Sequence, residues 1–212
     1  MKTFLKKILN HFLQSSEIRK HVTVSGHSKG LQNVTFEGKN ALQNGCNFSG
    51  KISVGYATTL GYNNFFAGDI QIGKYCQFGS NVAIHTTNHP IYYLSTYINK
   101  NLFKGELASL KTNQKTIIGN DVWVGQNVII LGGISIGNGA ILAAGAIVTK
   151  DVAPFSVVVG NPAHEIKKRF SDKICCEIQQ LAWWNLSESE LEKIKPLFLK
   201  NLSNANSIFE NQ

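Results

Sequence analysis

The sequence predicts an all-β chain wound as a parallel β-helix, and three observations carry that expectation. Large apolar residues recur at every sixth position, the recurrence breaks once and resumes in a new phase, and small or β-branched residues keep a second six-residue rhythm four places behind the first.

The first array is Phe36, Leu42, Phe48, Val54, Leu60, Phe66, Ile72, Phe78 and Ile84. A period of six cannot follow the 3.6-residue turn of an α-helix, but it suits short extended segments joined by turns. Three such segments make one triangular coil of about 18 residues, and stacked coils pair their strands in parallel. The array resumes at Ile118, Val124, Ile130, Ile136, Leu142 and Val148. The step from Ile84 to Ile118 is not a multiple of six, so residues 86–116 are expected to leave the coil and rejoin it. The first array amounts to about three coils and the second to about two.

The companion rhythm is Cys46, Ile52, Thr58, Ile70, Cys76, Val82, Val122, Val128, Ile134, Ala140 and Ala146, with turn formers such as Ser80-Asn81, Asn120-Asp121 and Asn138-Gly139 between. The large residue is expected to fill the narrow interior, and the smaller one to sit inside a corner. Cys46 and Cys76 therefore read as core residues, not nucleophiles.

The ends follow a helical pattern. Phe4, Leu5, Ile8, Leu9, Phe12 and Leu13 form an amphipathic stripe in residues 1–20. Residues 171–183 and 187–200 are expected to be helical, with Ser171 as N-cap of the first and Ser187 with Glu190 as a capping box for the second. The expected organisation is thus an N-terminal helix over 1–20, a β-helix domain over 21–160 with the inserted loop 86–116, and a helical cap and tail over 161–212. The cap is expected to cover the open end of the coil, where strand edges would otherwise be unpaired.

Composition narrows the partners. The chain of 212 residues is 43% hydrophobic and 16% charged, which argues against disorder. Its net charge of +8 suits a nucleic acid, an anionic lipid or a phosphorylated ligand. No nucleic-acid-reading motif accompanies that charge, so nucleic acid is not expected as a partner. None of the four cysteines forms a CxxC pair and no secretory signal precedes them, so a reduced, cytoplasmic protein is expected. Residues 1–14 suit either packing against the protein or peripheral contact with the inner membrane face.

Several stretches together carry a family resemblance. They are Gly68-Asp69-Ile70-Gln71-Ile72-Gly73-Lys74-Tyr75-Cys76, Asn88-His89-Pro90, Ile118-Gly119-Asn120-Asp121-Val122-Trp123-Val124-Gly125, Ala143 to Asp151, Gly160-Asn161-Pro162-Ala163, Lys167-Lys168-Arg169-Phe170 and Trp183-Trp184. The sequence resembles the hexapeptide-repeat acyltransferases, most closely the xenobiotic acetyltransferases and related polysaccharide O-acetyltransferases. The resemblance covers about residues 66–198. It implies a left-handed coil, acetyl-CoA as co-substrate and no metal, and a homotrimer with active sites between subunits.

Acetyl transfer to a hydroxyl needs a base, and neutral imidazole suits that role near pH 7. The resemblance selects His89 among six histidines. It also implies acceptor contacts from Asn88, His85 and Tyr92, the last with Tyr93, Tyr97 and Phe103 in the insertion. Those aromatics suit a sugar face and a subunit interface equally well. His85 and His89 form H-x-x-x-H, a metal-pair spacing that lacks a third histidine. Trp123 precedes a core residue and should point outward, along the acetyl-pantetheine arm or into an interface. Gly125, Ala143 and Ala144 would admit that arm, and Thr149, Lys150, Lys167, Lys168 and Arg169 are the candidates near the CoA phosphates.

The leading expectation is an O-acetyltransferase acting on a sugar hydroxyl of a surface polysaccharide or its precursor. Alternatives are a chloramphenicol or streptogramin O-acetyltransferase, an N-acetyltransferase for an amino-sugar nucleotide, and a non-catalytic or metal-binding β-helix protein.

Overall fold

The computed structural model describes residues 22–209, so the helix expected over residues 1–20 lies outside the described residues. Parallel strands pile into three columns, the faces of a left-handed triangular coil. The first face holds Val22–Val24, Asn40–Leu42, Thr59–Leu60, Gln77–Phe78, Trp123–Val124, Ile141–Leu142 and Ser156–Val159. The long strands Asn47–Val54 and Phe65–Ile72 bend at Gly50 and Gly68, so each serves the second face and then the third. The second face continues with Ala83–His85, Ile129–Leu131 and Ile147–Val148. The third face includes Val34–Phe36, Thr116–Ile118 and Ser135–Ile136.

Partners on neighbouring coils are 18 residues apart, as in Leu42↔Leu60↔Phe78. Across the insertion the separation becomes 46, as in Phe78↔Val124 and Ile84↔Ile130. The excursion therefore leaves the stack between the second and third faces without shifting the pleat. Every large six-step residue from Leu42 to Val148 is buried, and Phe48, Phe66 and Phe78 pack ring to ring at 5.7 and 5.5 Å. Phe36 is only partly buried and packs against the core near its lower end. The coil begins lower than the sequence array, at Val22, because Gly30 breaks the six-step pattern there. A Cβ on Gly30 would lie 1.8 Å from the Phe48 carbonyl oxygen, so the close approach excludes any filler.

The corners explain the polar members of the companion rhythm. Asn40 Nδ2 donates to the Gly55 and Thr58 carbonyls at 2.7 and 3.1 Å, and Thr58 Oγ1 donates to the Gly73 carbonyl at 2.8 Å. A buried polar side chain is tolerated where its partners are built in. Asn63, Asn81 and Asn127 hold positive φ at the corner from first to second face, a conformation asparagine accepts readily.

Two helices follow the coil, α1 (Asp172–Leu181) and α2 (Glu188–Phe198). Ser171 caps α1 by accepting from the Ile174 N–H, and Ser187 with Glu190 forms a capping box on α2. Their contacts run down the corner between third and first faces. Asn138 Nδ2 donates to Gln179 Oε1 at 3.0 Å, Trp183 packs on Tyr75 at 4.9 Å, and Lys39 pairs with Glu188. The edge of the last first-face strand is instead covered by His164–Lys168, which folds back antiparallel on Ser156–Val159. The helical cap thus covers a flank, and a hairpin satisfies the strand edge it was expected to cover. No described helix is long and apolar enough to cross a membrane.

Candidate active site

The excursion is closed at its root by a two-stranded antiparallel stem, in which Asn88 pairs with Thr112 and Thr87 with Asn113. Thr86, fully buried below the stem, fixes it to the coil. Its hydroxyl donates to Asn113 Oδ1 at 2.5 Å and accepts from the Asp69 N–H at 2.9 Å. Gly68, at φ +115°, passes so close that a Cβ would sit 1.7 Å from the Thr86 hydroxyl.

His89 follows the stem and is exposed. Its Nδ1 lies 2.7 Å from the Thr96 carbonyl oxygen. A carbonyl only accepts, so Nδ1 carries the proton and neutral His89 presents the lone pair of Nε2. The Thr96–Tyr97 peptide is held from its other side as well, because the Tyr97 N–H donates to Ser95 Oγ at 3.0 Å. An imidazole with one nitrogen anchored and the other bearing a lone pair is arranged as a general base.

His85 points outward on the second face and stacks on Phe65, with ring centroids 5.0 Å apart and planes at 28°. Asn88 is exposed and in the stem, and Tyr92 is 94% exposed in the excursion beyond it. These residues share one region with His89.

The residues expected to meet the co-substrate gather elsewhere. Trp123 is 56% exposed on the first face, in a lateral column with Ile141, Val157 and Lys167. At about 4.8 Å per rung, Lys167 stands about 14 Å along the coil axis from Trp123. Gly125 and the Ala143-Ala144 pair line the adjoining corner, so close that a Cβ on Gly125 would lie 2.5 Å from the Ala144 nitrogen. Thr149 and Lys150 are exposed just after the strand Ile147–Val148, and Lys168 lies 3.6 Å from Asp172. Arg169 is diverted: its Nη1 contacts Asp121 Oδ2 at 3.0 Å and the Gly139 carbonyl at 2.9 Å, tying the cap to the coil. Burial pushes the Asp121 carboxyl up, and the Arg169 charge and hydrogen bond pull it part of the way back.

The corner that releases His89 lies opposite the first face of the same triangular coil. One chain therefore does not bring His89 and Trp123 together. The cavities of about 360 and 570 Å³ are lined by the helical cap and its corner, not by His89. Among the described residues, no group of three or more His, Cys, Asp or Glu side chains could hold a metal.

Thr96 escapes sequence reading because it acts through its carbonyl, which every residue possesses. Phe65 left a signal: it adjoins the core residue Phe66, where the pleat turns a large aromatic ring outward.

A family profile, Bacterial transferase hexapeptide (six repeats), matches residues 115–150. A chloramphenicol acetyltransferase of Klebsiella aerogenes is 36% identical over 135 residues, covering 58% of this chain and 61% of the relative. A probable macrolide acetyltransferase of Lysinibacillus sphaericus is 42% identical over 136 residues, covering 59% of this chain and 75% of the relative. Among solved structures, AntD, an N-acyltransferase from Bacillus cereus in complex with dTDP and coenzyme A, aligns with a TM-score of 0.60 at 18% identity. That alignment covers 76% of this chain and 88% of the other, a likeness of fold.

Proposed function

The chain belongs to the hexapeptide-repeat acyltransferase family, and on that premise we propose that it transfers an acetyl group from acetyl-CoA to a sugar hydroxyl of a surface polysaccharide or its precursor. The observation that carries the reading is the bond from His89 Nδ1 to the Thr96 carbonyl, which leaves Nε2 as the proton acceptor. His89 Nε2 takes the acceptor proton as the hydroxyl oxygen attacks, and returns it to the departing sulfur. Acetyl-CoA supplies the activated thioester. Trp123 and the small residues Gly125, Ala143 and Ala144 give the pantetheine arm a flat wall and close backbone approach. Lys167, at the far end of the same column, faces the phosphates with Lys168, Thr149 and Lys150 beside that end.

The separation of His89 from Trp123 supports a site shared between chains, with His89, His85, Asn88 and Tyr92 from one and the Trp123 column from the next. A homotrimer closes such a heterologous contact into a ring. The exposed Ile91, Tyr92, Tyr93 and Leu94 give the excursion an apolar surface suited to that neighbour.

A second reading, acetylation of an antibiotic hydroxyl, is favoured by the names of the relatives at 36% and 42% identity. Thiol release from acetyl-CoA, followed with neutral and charged sugars, chloramphenicol, a macrolide and a streptogramin, separates the two. Acceptor-dependent release lost in His89→Ala is expected. Undiminished transfer by His89→Ala would remove the general base from the scheme.

A further inference from the structure

The stem beneath His89 is antiparallel, with Asn88 opposite Thr112 and Thr87 opposite Asn113. Lys111 enters it in extended conformation, at φ −67° and ψ 129°. Continuing the register by one step sets Lys111 across from His89. Directly opposed Cβ atoms lie about 4.5–5.5 Å apart, well within the reach of a lysine side chain. The Lys111 ammonium can therefore meet a group bound at His89 Nε2.

The surroundings do not neutralise that charge. Between Asp69 and Asp121 the only acidic residue is Glu106, whereas residues 86–116 contain Lys100, Lys104, Lys111 and Lys115. Lys115 donates to Gln71 Oε1 at 2.8 Å. Lys111 is exposed, and it is absent from the ion pairs among the described residues.

A lone cation is an adverse neighbour for a general base, because His89 becomes cationic as it takes the proton and like charges repel. An anionic group on the acceptor, seated at Lys111, would offset that repulsion and also aim the adjacent hydroxyl at Nε2. The phosphates of acetyl-CoA cannot serve here, since they lie at the opposite end of the pantetheine arm from the reacting thioester.

We infer that the acceptor is anionic: a sugar whose carboxylate or phosphate docks on Lys111 while a nearby hydroxyl meets His89. The inference rests on the transferase reading above. A uronic-acid polymer and a phosphorylated or nucleotide-linked sugar both present this chemistry, so the test carries an arm for each.

Transfer from acetyl-CoA is measured with full-length protein, Lys111→Gln and Lys111→Arg, at 50 and 500 mM salt. The acceptors are an oligogalacturonate, a UDP-hexose and a neutral galacto-oligosaccharide. The parent protein is expected to favour one charged acceptor over the neutral one by at least tenfold in kcat/KM. Lys111→Gln should lose most of that preference through KM, Lys111→Arg should keep most of it, and salt should erode it. The charged arm that shows the preference identifies the source. A parent that uses neutral and charged sugars equally, or a preference untouched in Lys111→Gln, overturns the inference. Should no acceptor react, the same sugars are titrated calorimetrically against His89→Ala loaded with CoA. Tighter binding of a charged sugar that weakens when Lys111→Gln is added supports the inference, and equal binding of all three overturns it. Absence of CoA binding would instead sink the transferase reading.

Discussion

His89 Nδ1 and the Thr96 carbonyl oxygen are 2.7 Å apart, and the same peptide unit offers its Tyr97 N–H to Ser95 Oγ. A peptide group thus takes the orienting place that a carboxylate often fills beside a catalytic histidine. His89→Ala should lower kcat by about 10²- to 10⁴-fold, the usual contribution of general-base catalysis. Ser95→Ala should lower kcat by a smaller factor with the KM for acetyl-CoA unchanged, and Ser95→Thr should restore it. Steady-state kinetics of the three variants checks the order; a Ser95→Ala enzyme with full kcat would show that the peptide needs no second anchor.

Gly68 tests whether the stem matters separately from the coil. Both Gly50 and Gly68 bend a long strand, at φ +101° and +115°. A methyl on Gly68 would strike the Thr86 hydroxyl that fixes the stem, whereas one on Gly50 would strike the Gly68 backbone one coil below. Each substitution should destabilise by about 1–3 kcal/mol from backbone strain alone. Only Gly68→Ala should also lower kcat in the surviving folded protein, as read by melting temperature alongside turnover. Equal kcat in the two variants would mean that the stem does not set His89.

The coil was legible because one side chain per six residues must fill a narrow interior, and the burial of Leu42 through Val148 follows that requirement. The excursion had no such constraint. Its departure was readable from the broken phase at Ile84, but its path depends on backbone contacts such as Thr96 to His89 and Asn88 to Thr112. The family motif drew attention to His89, yet only coordinates reveal which of its nitrogens is anchored. Arg169 illustrates the opposite case. Its basic side chain suited a phosphate, and its place in the fold committed it to Asp121.

That Arg169–Asp121 pair predicts a pH-dependent defect. Burial already raises the Asp121 carboxyl, and Arg169 supplies the opposing causes. Arg169→Met removes those causes, so the folded pKa rises further above the unfolded value of about 3.9. A carboxyl raised by folding costs stability as pH climbs through the interval between its unfolded and folded values. Melting temperatures should therefore show a gap between parent and variant that is smaller at pH 4 than at pH 7. A gap that is constant or shrinks as pH rises would show that Arg169 acts through packing on Phe170, 5.0 Å from its guanidinium, and not through Asp121.

The cysteines should divide sharply by reactivity. Cys46, Cys76 and Cys175 are buried and Cys176 is exposed. Burial pushes the Cys76 thiol up to about 12 and raises Cys46 and Cys175 as well. The thiolate is the reacting species, so the buried three should resist alkylation in the native protein. A thiol titration should find one fast group per native chain and four after denaturation, and Cys176→Ser should abolish the fast one. Rapid modification of Cys46 or Cys76 would contradict the packed corners of the coil.

The opposed positions of His89 and Trp123 on one coil make the strongest prediction about assembly. If each site takes His89 from one chain and Trp123 from its neighbour, His89→Ala and Trp123→Ala chains should complement each other. In a homotrimer any ring containing both variants has one contact where an intact His89 meets an intact Trp123, and about a quarter of all sites are intact in a random equal mixture. Chains mixed after dissociation and reassembly should thus exceed the activity of either variant alone, with a maximum near equal proportions. Native mass spectrometry confirms that mixed trimers have formed. Activity that merely averages the two variants despite confirmed mixing would place each complete site within a single chain and require the excursion to carry His89 around to its own first face.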